Sequence, residues 1–215
     1  MNNLSTIDIS ELILHRKKFL SIKECNDLIK YFEINKNKST QEHCPEASTN
    51  IDTWSTFDVI DVLCGSKEYG IVAHAIEKMI NLYHSYTDKF KMFHSMRKSN
   101  LLYSHKIRLM KYETGAKIHP HSDHDPYVYG SCTFNLNEDY EGGKQGDALI
   151  FPADHYWVHE VKPINKGVRY SVNCFLQSIP QSVREELILK EEELIKKYVF
   201  NPRDGIKYNI NKEPN

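Results

Sequence analysis

Between Ser104 and Ser178 the chain is a succession of short runs rich in β-branched and aromatic residues. They are Lys106–Tyr112, Tyr127–Leu136, Ala148–Phe151, Trp157–Pro163 and Arg169–Leu176, separated by turn residues at Gly115, Asp125-Pro126, Glu141-Gly142-Gly143 and Asn165-Lys166-Gly167. None carries a helical period. Runs this short bury little alone and must pair with one another, which points to an antiparallel sandwich or barrel. A chain of 215 residues holds one sizeable core of this kind and is short for two full domains. Residues 1–215 are therefore read as a single domain: helical support over 12–100, a β core over 104–178 and a C-terminal helix over 182–198.

Three segments carry helix signals. Ser21 and Glu24 form a capping box ahead of Cys25, Leu28, Ile29 and Phe32 at helical spacing. After Ser66, an apolar stripe runs through Val72, Ile76, Met79, Ile80 and Tyr83. Ser182 and Glu185 make a second capping box before a charged helix with Leu187, Leu194, Ile195 and Tyr198 on one side. Residues 35–58 are polar and turn-rich, with Pro45 and isolated Trp54 and Phe57, and read as a surface loop or a flap over a pocket.

The net charge of −1 supplies no global positive field, which weighs against nucleic acid and anionic membrane as partners. Five scattered cysteines without a CxxC pair, a polar N-terminus without an apolar h-region and no long apolar span are the marks of a reduced, cytoplasmic protein.

The chemistry concentrates in the β core. Of 11 histidines, five (His119, His121, His124, His155, His159) fall between positions 119 and 159. His121-Ser-Asp123 places an imidazole and a carboxylate two residues apart, on one face of an extended strand. His159, on another predicted strand, supplies a third donor. Two histidines and one carboxylate leave three positions of an octahedral ion open, a set suited to non-haem Fe(II). Spacing alone leaves His119, His124, Asp125 and His155 as competing donors. From His159 the chain runs through Gly167 into a second strand that begins at Arg169. That hairpin returns a guanidinium beside the metal face, where it can grip a carboxylate in bidentate fashion.

The stretch Tyr112 to Asp123, with Gly115, resembles the first metal motif of the prolyl 4-hydroxylase-like Fe(II)/2-oxoglutarate dioxygenases. Thr133 to Asn137, Tyr140 to Gly143, Gly146 to Pro152, His159-Glu-Val and Gly167 to Ser171 resemble the strands that follow, and Phe19 to Ile29 resembles the opening helix. The likeness spans roughly residues 12–178. It implies a mainly β fold with flanking helices, built on a double-stranded β-helix (jelly roll). It implies iron at His121, Asp123 and His159, Arg169 on the far carboxylate of 2-oxoglutarate, Tyr112 assisting through its hydroxyl, and Thr133 as a further pocket residue. It places His119 and His124 as neighbours of the ligands and His155 in the turn before the last metal strand. One departure stands out: only Lys144 and Gln145 lie between Gly143 and Gly146, where family members have a further strand or hairpin.

The activity implied is hydroxylation of a C–H bond, most simply of a prolyl residue in a protein or peptide, with small-molecule substrates as the other option. Fe(II), 2-oxoglutarate and O2 would be consumed or bound, with ascorbate as an optional reductant, and succinate and CO2 released. Two rivals are a nucleic-acid demethylase of the AlkB type and a jelly-roll binding protein that has lost activity. Against the first, Arg169 is not followed by that group's Asn and second Arg. Against the second, the ligand set and Arg169 are present together.

Overall fold

The computed structural model describes residues 8–44, 55–90, 103–104, 107–124, 128–177 and 206–207. Two helices and eleven strands are built from them: β1 Leu14–Arg16, α1 Ile22–Ile34, β2 Thr40–Cys44, β3 Ser55–Asp61, α2 Lys67–Thr87, β4 Tyr103–Ser104, β5 Arg108–Tyr112, β6 Ile118–His121, β7 Val128–Asn135, β8 Ala148–Pro152, β9 His159–Val161, β10 Arg169–Gln177 and β11 Ile206–Lys207. The large sheet has the order β1-β8-β7-β10-β5-β3-β2, with β4 pairing β10 and β11. The small sheet is β6-β9. Every pairing is antiparallel.

Side-chain alternation gives the large sheet two unlike faces. On β10, Val172, Cys174 and Leu176 are fully buried on one face, while Arg169, Ser171 and Asn173 point to the other. The first face joins Leu109, Cys132, Phe134 and Ile150 in a core covered by Leu28 and Phe32 of α1 and by Val72, Ile76, Met79 and Ile80 of α2. The second face turns inward to the small sheet. Phe57, Val59, Met110, Tyr112, Ala116, Tyr140 and Ile164 form a smaller core there, with Ile118 and Val161 packed on it. The helices thus brace the sheet from outside and leave its inner face to the site.

Both helices begin where their caps predict. The Ser21 hydroxyl accepts from Glu24 N (3.2 Å) while Ser21 N donates to the Glu24 carboxylate (2.8 Å), and Ser66 Oγ accepts from Tyr69 N (3.0 Å). The strands expected over Lys106–Tyr112 and Tyr127–Leu136 are Arg108–Tyr112 and Val128–Asn135, those over Ala148–Phe151 and Arg169–Leu176 run one residue further to Pro152 and Gln177, and that over Trp157–Pro163 is only His159–Val161.

Residues 35–58 differ from expectation. In place of a loop, β2 and β3 form an antiparallel pair (Thr40↔Val59, Cys44↔Ser55), and β3 adds to β5 (Val59↔Met110). Asp58 and Asp61 interrupt the apolar run and hide the alternation in sequence, yet Phe57, Val59 and Ile60 are buried by their neighbours across the strands. Residues 45–54, with Pro45 and Trp54, and the helix expected over 182–198 lie outside the described residues.

The short Gly143–Gly146 link makes a tight closure between β7 and β8. Gly146 N donates to Asn135 O (2.8 Å) and Asn135 N to Asp147 O (2.9 Å), while Gly146 O accepts from Phe19 N (2.7 Å) and Leu20 N (3.0 Å). Tyr140 packs into the inner core and donates to Asn135 Oδ1 (2.5 Å). The small sheet carries two strands among the described residues.

Candidate metal centre

Strand register brings the first two donors together. In the small sheet His121 lies opposite His159, and their ring centroids are 4.4 Å apart. β6 ends at His121, so Asp123 reaches the pair from the irregular residues just after the strand rather than from within it. Its carboxylate lies between the two imidazoles: Oδ1 is 3.4 Å from His121 Nε2 and Oδ2 is 3.4 Å from His159 Nε2. The three donor atoms lie within 4.8 Å of one another, the only such set among the described residues.

The hydrogen bonds around the triad prepare it for a cation. His121 Nδ1 sits 2.8 Å from His119 O, and His159 Nδ1 sits 2.9 Å from Trp157 O. A carbonyl only accepts, so each Nδ1 carries the hydrogen, and each neutral ring keeps its Nε2 lone pair directed at the shared point. Asp123 Oδ2 is buried and has no hydrogen-bond partner. Burial pushes the Asp123 carboxyl up, but His121, Ser131 and the charge of His159 outweigh it and hold the group below the ordinary carboxylate value. The Asp123 carboxylate in turn raises the His121 pKa, against desolvation. Three donors at right angles, each ~2.1 Å from one ion, stand ~3 Å apart. The two 3.4 Å separations match that need and are too long for strong hydrogen bonds. The donor set fits a divalent ion.

Across the inner face stands Arg169. It pairs with Tyr112 in register, and its guanidinium carbon is 4.8 Å from the Tyr112 ring centroid. Its Nη1 is buried without a hydrogen-bond partner, as is the hydroxyl of Ser171 on the same face of β10. Tyr112 is itself fully buried, stacked on Phe57 at 4.9 Å between ring centroids. Burial raises its pKa although Arg169 opposes the shift, so it keeps its hydroxyl hydrogen at neutral pH. Unpaired buried donors cost free energy unless a ligand satisfies them. Arg169 and Ser171 therefore offer unpaired donors to an anion, while the neighbouring Tyr112 hydroxyl donates to Met110 Sδ (3.3 Å), a weak acceptor that a carboxylate can replace.

The remaining expected residues are placed as follows. Thr133 lies on the inner face, but its hydroxyl donates to Val172 O (2.9 Å). His124 and His155 stay outside the triad, their rings edge to face at 5.5 Å, and His155 falls in a turn closed by Trp157 N to Asp154 O (3.0 Å). Sequence reasoning does not single out Ser131 and Asn173: Ser131 Oγ donates to Asn173 Oδ1 (3.4 Å), and Ser131 is among the groups that lower the Asp123 pKa. The alternation Arg169, Ser171, Asn173 along one strand was the available signal.

No protein-family model matches the sequence, and no curated protein matches it. Solved structures do resemble the fold. A prolyl 4-hydroxylase of Pseudomonas putida superposes with a TM-score of 0.54 at 15% identity, covering 77% of this chain and 92% of its own. A prolyl hydroxylase of Trichoplax adhaerens, in complex with a hypoxia-inducible-factor peptide, gives 0.57 at 12% identity, covering 79% and 84%. The epimerase SnoN of nogalamycin biosynthesis, in complex with Fe3+ and α-ketoglutarate, gives 0.52 at 13% identity, covering 77% and 78%. Two packed antiparallel sheets with helices on the outer face, the two histidines opposed across the small sheet, and these superpositions give the chain the jelly-roll fold of the prolyl 4-hydroxylase-like 2-oxoglutarate/Fe(II) oxygenases.

Proposed function

We propose that this protein is an Fe(II)- and 2-oxoglutarate-dependent oxygenase that hydroxylates a C–H bond, most simply that of a prolyl residue in a peptide. One observation carries the reading: the Asp123 carboxylate faces two Nε2 lone pairs with its buried Oδ2 unbonded, and the inner face of the large sheet holds the buried, unbonded Arg169 Nη1. One orphan seeks a cation and the other an anion. A keto-acid chelating a metal at one end and presenting a carboxylate at the other satisfies both.

His121, Asp123 and His159 would hold the iron. Bound there, Fe(II) with 2-oxoglutarate and O2 supplies the oxidising chemistry that turns C–H into C–OH, with succinate and CO2 released. The protein orients the partners. Arg169 grips the far carboxylate, and the Tyr112 hydroxyl, which donates to Met110 Sδ in the free protein, turns its hydrogen to it. Phe57, Met110 and Val59 pack around Tyr112 in the inner core and keep water from that end of the site. His119 O and Trp157 O lock the two imidazoles in the tautomer that ligates. The prolyl preference draws on the two prolyl hydroxylases among the structural neighbours, one of them in complex with a peptide.

Succinate release from 2-oxoglutarate, measured with and without added Fe(II), tests the reading. Iron-dependent succinate that disappears in His121→Ala and Asp123→Ala is expected. Undiminished release from either variant refutes the ligand assignment.

A further inference from the structure

The inner face holds a second guanidinium that the reading above does not use. Arg108 lies on β5 at even spacing from Met110 and Tyr112, so all three side chains share that face. In register it stands opposite Asn173 on β10. Asn173 accepts from Ser131 Oγ of β7 (3.4 Å), so Arg108 belongs to an inner-face row that crosses β5, β10 and β7, and Ser131 is among the groups that lower the Asp123 pKa.

The Arg108 side chain is only 16% exposed. Its buried Nη2 touches the Glu42 carboxylate as an ion pair without the alignment of a hydrogen bond. Glu42 stands on β2, the last strand of the large sheet, and is 43% exposed. In register, Asp61 of β3 also faces Arg108 from the neighbouring strand. A mostly buried guanidinium needs an anion, and the ion pair it makes with Glu42 is to a half-solvated glutamate at the sheet margin. Released, that carboxylate returns to water at little cost, whereas the buried Arg108 cannot. Exchange for a better-aligned carboxylate is therefore favourable.

We propose that Arg108 is a substrate-recognition residue and that Glu42 holds, in cis, the place of a carboxylate on the substrate. This rests on the oxygenase reading above and narrows its substrate to a class: molecules with an anionic group near the C–H bond attacked. The carboxylate is supplied either by an acidic residue flanking the target in a peptide or by the free acid of a small molecule.

The test measures binding to the full chain loaded with Mn(II) and 2-oxoglutarate. One arm compares a blocked Gly-Asp-Pro-Asp-Gly peptide with its Gly-Asn-Pro-Asn-Gly isostere. The other compares L-proline with L-prolinamide. In at least one arm the acid binds about 10- to 100-fold tighter than its neutral partner, the range of a charge-assisted contact. The arm that shows the ratio identifies the source. Arg108→Gln brings the ratio to about one, and Arg108→Lys restores part of it. Glu42→Gln tightens the acid several-fold and leaves the neutral ligand unchanged, because the internal competitor is gone. A purely structural tie between β2 and the sheet would instead weaken acid and amide alike in both variants. A ratio near one in both arms, no binding of either acid, or weaker acid binding in Glu42→Gln overturns the proposal. Failure of the wild-type chain to bind 2-oxoglutarate with Mn(II) overturns the oxygenase reading itself, so the two failures are distinguishable.

Discussion

Replacing Arg169 by Gln has two consequences of unlike size, which makes it a sharp test. In the free protein Nη1 is buried without a partner, a state that costs about 1–3 kcal/mol. Against this stands the contact of the guanidinium with the Tyr112 ring at 4.8 Å, worth about 0.5–2 kcal/mol. The two nearly cancel, so Arg169→Gln is expected to change the stability of the free protein by no more than about 1–2 kcal/mol in either direction. In the complex the same change removes a bidentate pair of charge-assisted bonds, each worth about 1.5–3 kcal/mol. A total of about 3–6 kcal/mol corresponds to a loss of about two to four orders of magnitude in 2-oxoglutarate affinity. Urea unfolding reads the first quantity, and calorimetric titration of the Mn(II)-loaded protein reads the second. Pyruvate is the control, because it has the chelating keto-acid end and lacks the far carboxylate. Its affinity is expected to be the same in both proteins. A variant that loses pyruvate and 2-oxoglutarate equally, or that unfolds easily yet still binds 2-oxoglutarate, would refute the assignment of Arg169 to the far carboxylate.

Asp123→Asn is expected to lower Mn(II) affinity by more than the ~10- to 100-fold typical of outer-shell changes, read by electron paramagnetic resonance of the free ion. The ion competes with protons for Nε2, and the His121 pKa is raised by its contact with Asp123. Wild-type affinity should therefore begin to fall from above the ordinary histidine range as the pH drops, with protons released on binding. In the metal-free protein the signs are opposite for the two partners. The raised His121 contributes stability below its unfolded value that is lost as pH rises through the folded one. The depressed Asp123 contributes stability above its unfolded value that is lost as pH falls through the folded one. Their joint contribution should peak between the ordinary carboxylate and histidine values, and a denaturation series against pH that is flat or inverted there would contradict this. Gly146→Ala should destabilise the protein by at least about 1–3 kcal/mol in chemical denaturation. Gly146 has φ +81°, and a Cβ would stand 2.3 Å from Leu20 O. Ser21→Ala should cost about 1 kcal/mol by the same measurement, through loss of the capping box.

Much of this protein is legible in local pattern. The capping residues Ser21 and Ser66, the apolar stripes of both helices and the alternation along β10 are properties of neighbours in sequence, and each appears where that pattern places it. His121 and Asp123 are two residues apart, so their partnership is also local. The β2–β3 pair was not legible, because the burial of Phe57 and Val59 is decided by β5 and Tyr112, which are distant in the chain. The same holds for Arg108. As a residue it is a charge in an apolar strand, and only the fold turns it inward toward Glu42.

The sequence by itself determined the two helices and the principal strands of the β core, the donor types and the presence of an arginine one hairpin beyond the distal histidine. Only the tertiary structure decided which donors converge. Cross-strand register sets His121 opposite His159 and leaves His124 and His155 aside. A backbone carbonyl beside each Nδ1 fixes the tautomer. The packing that closes over Asp123 and Arg169 leaves one oxygen and one nitrogen without partners. Register, tautomer and desolvation depend on contacts between residues far apart in the chain, so no local pattern encodes them.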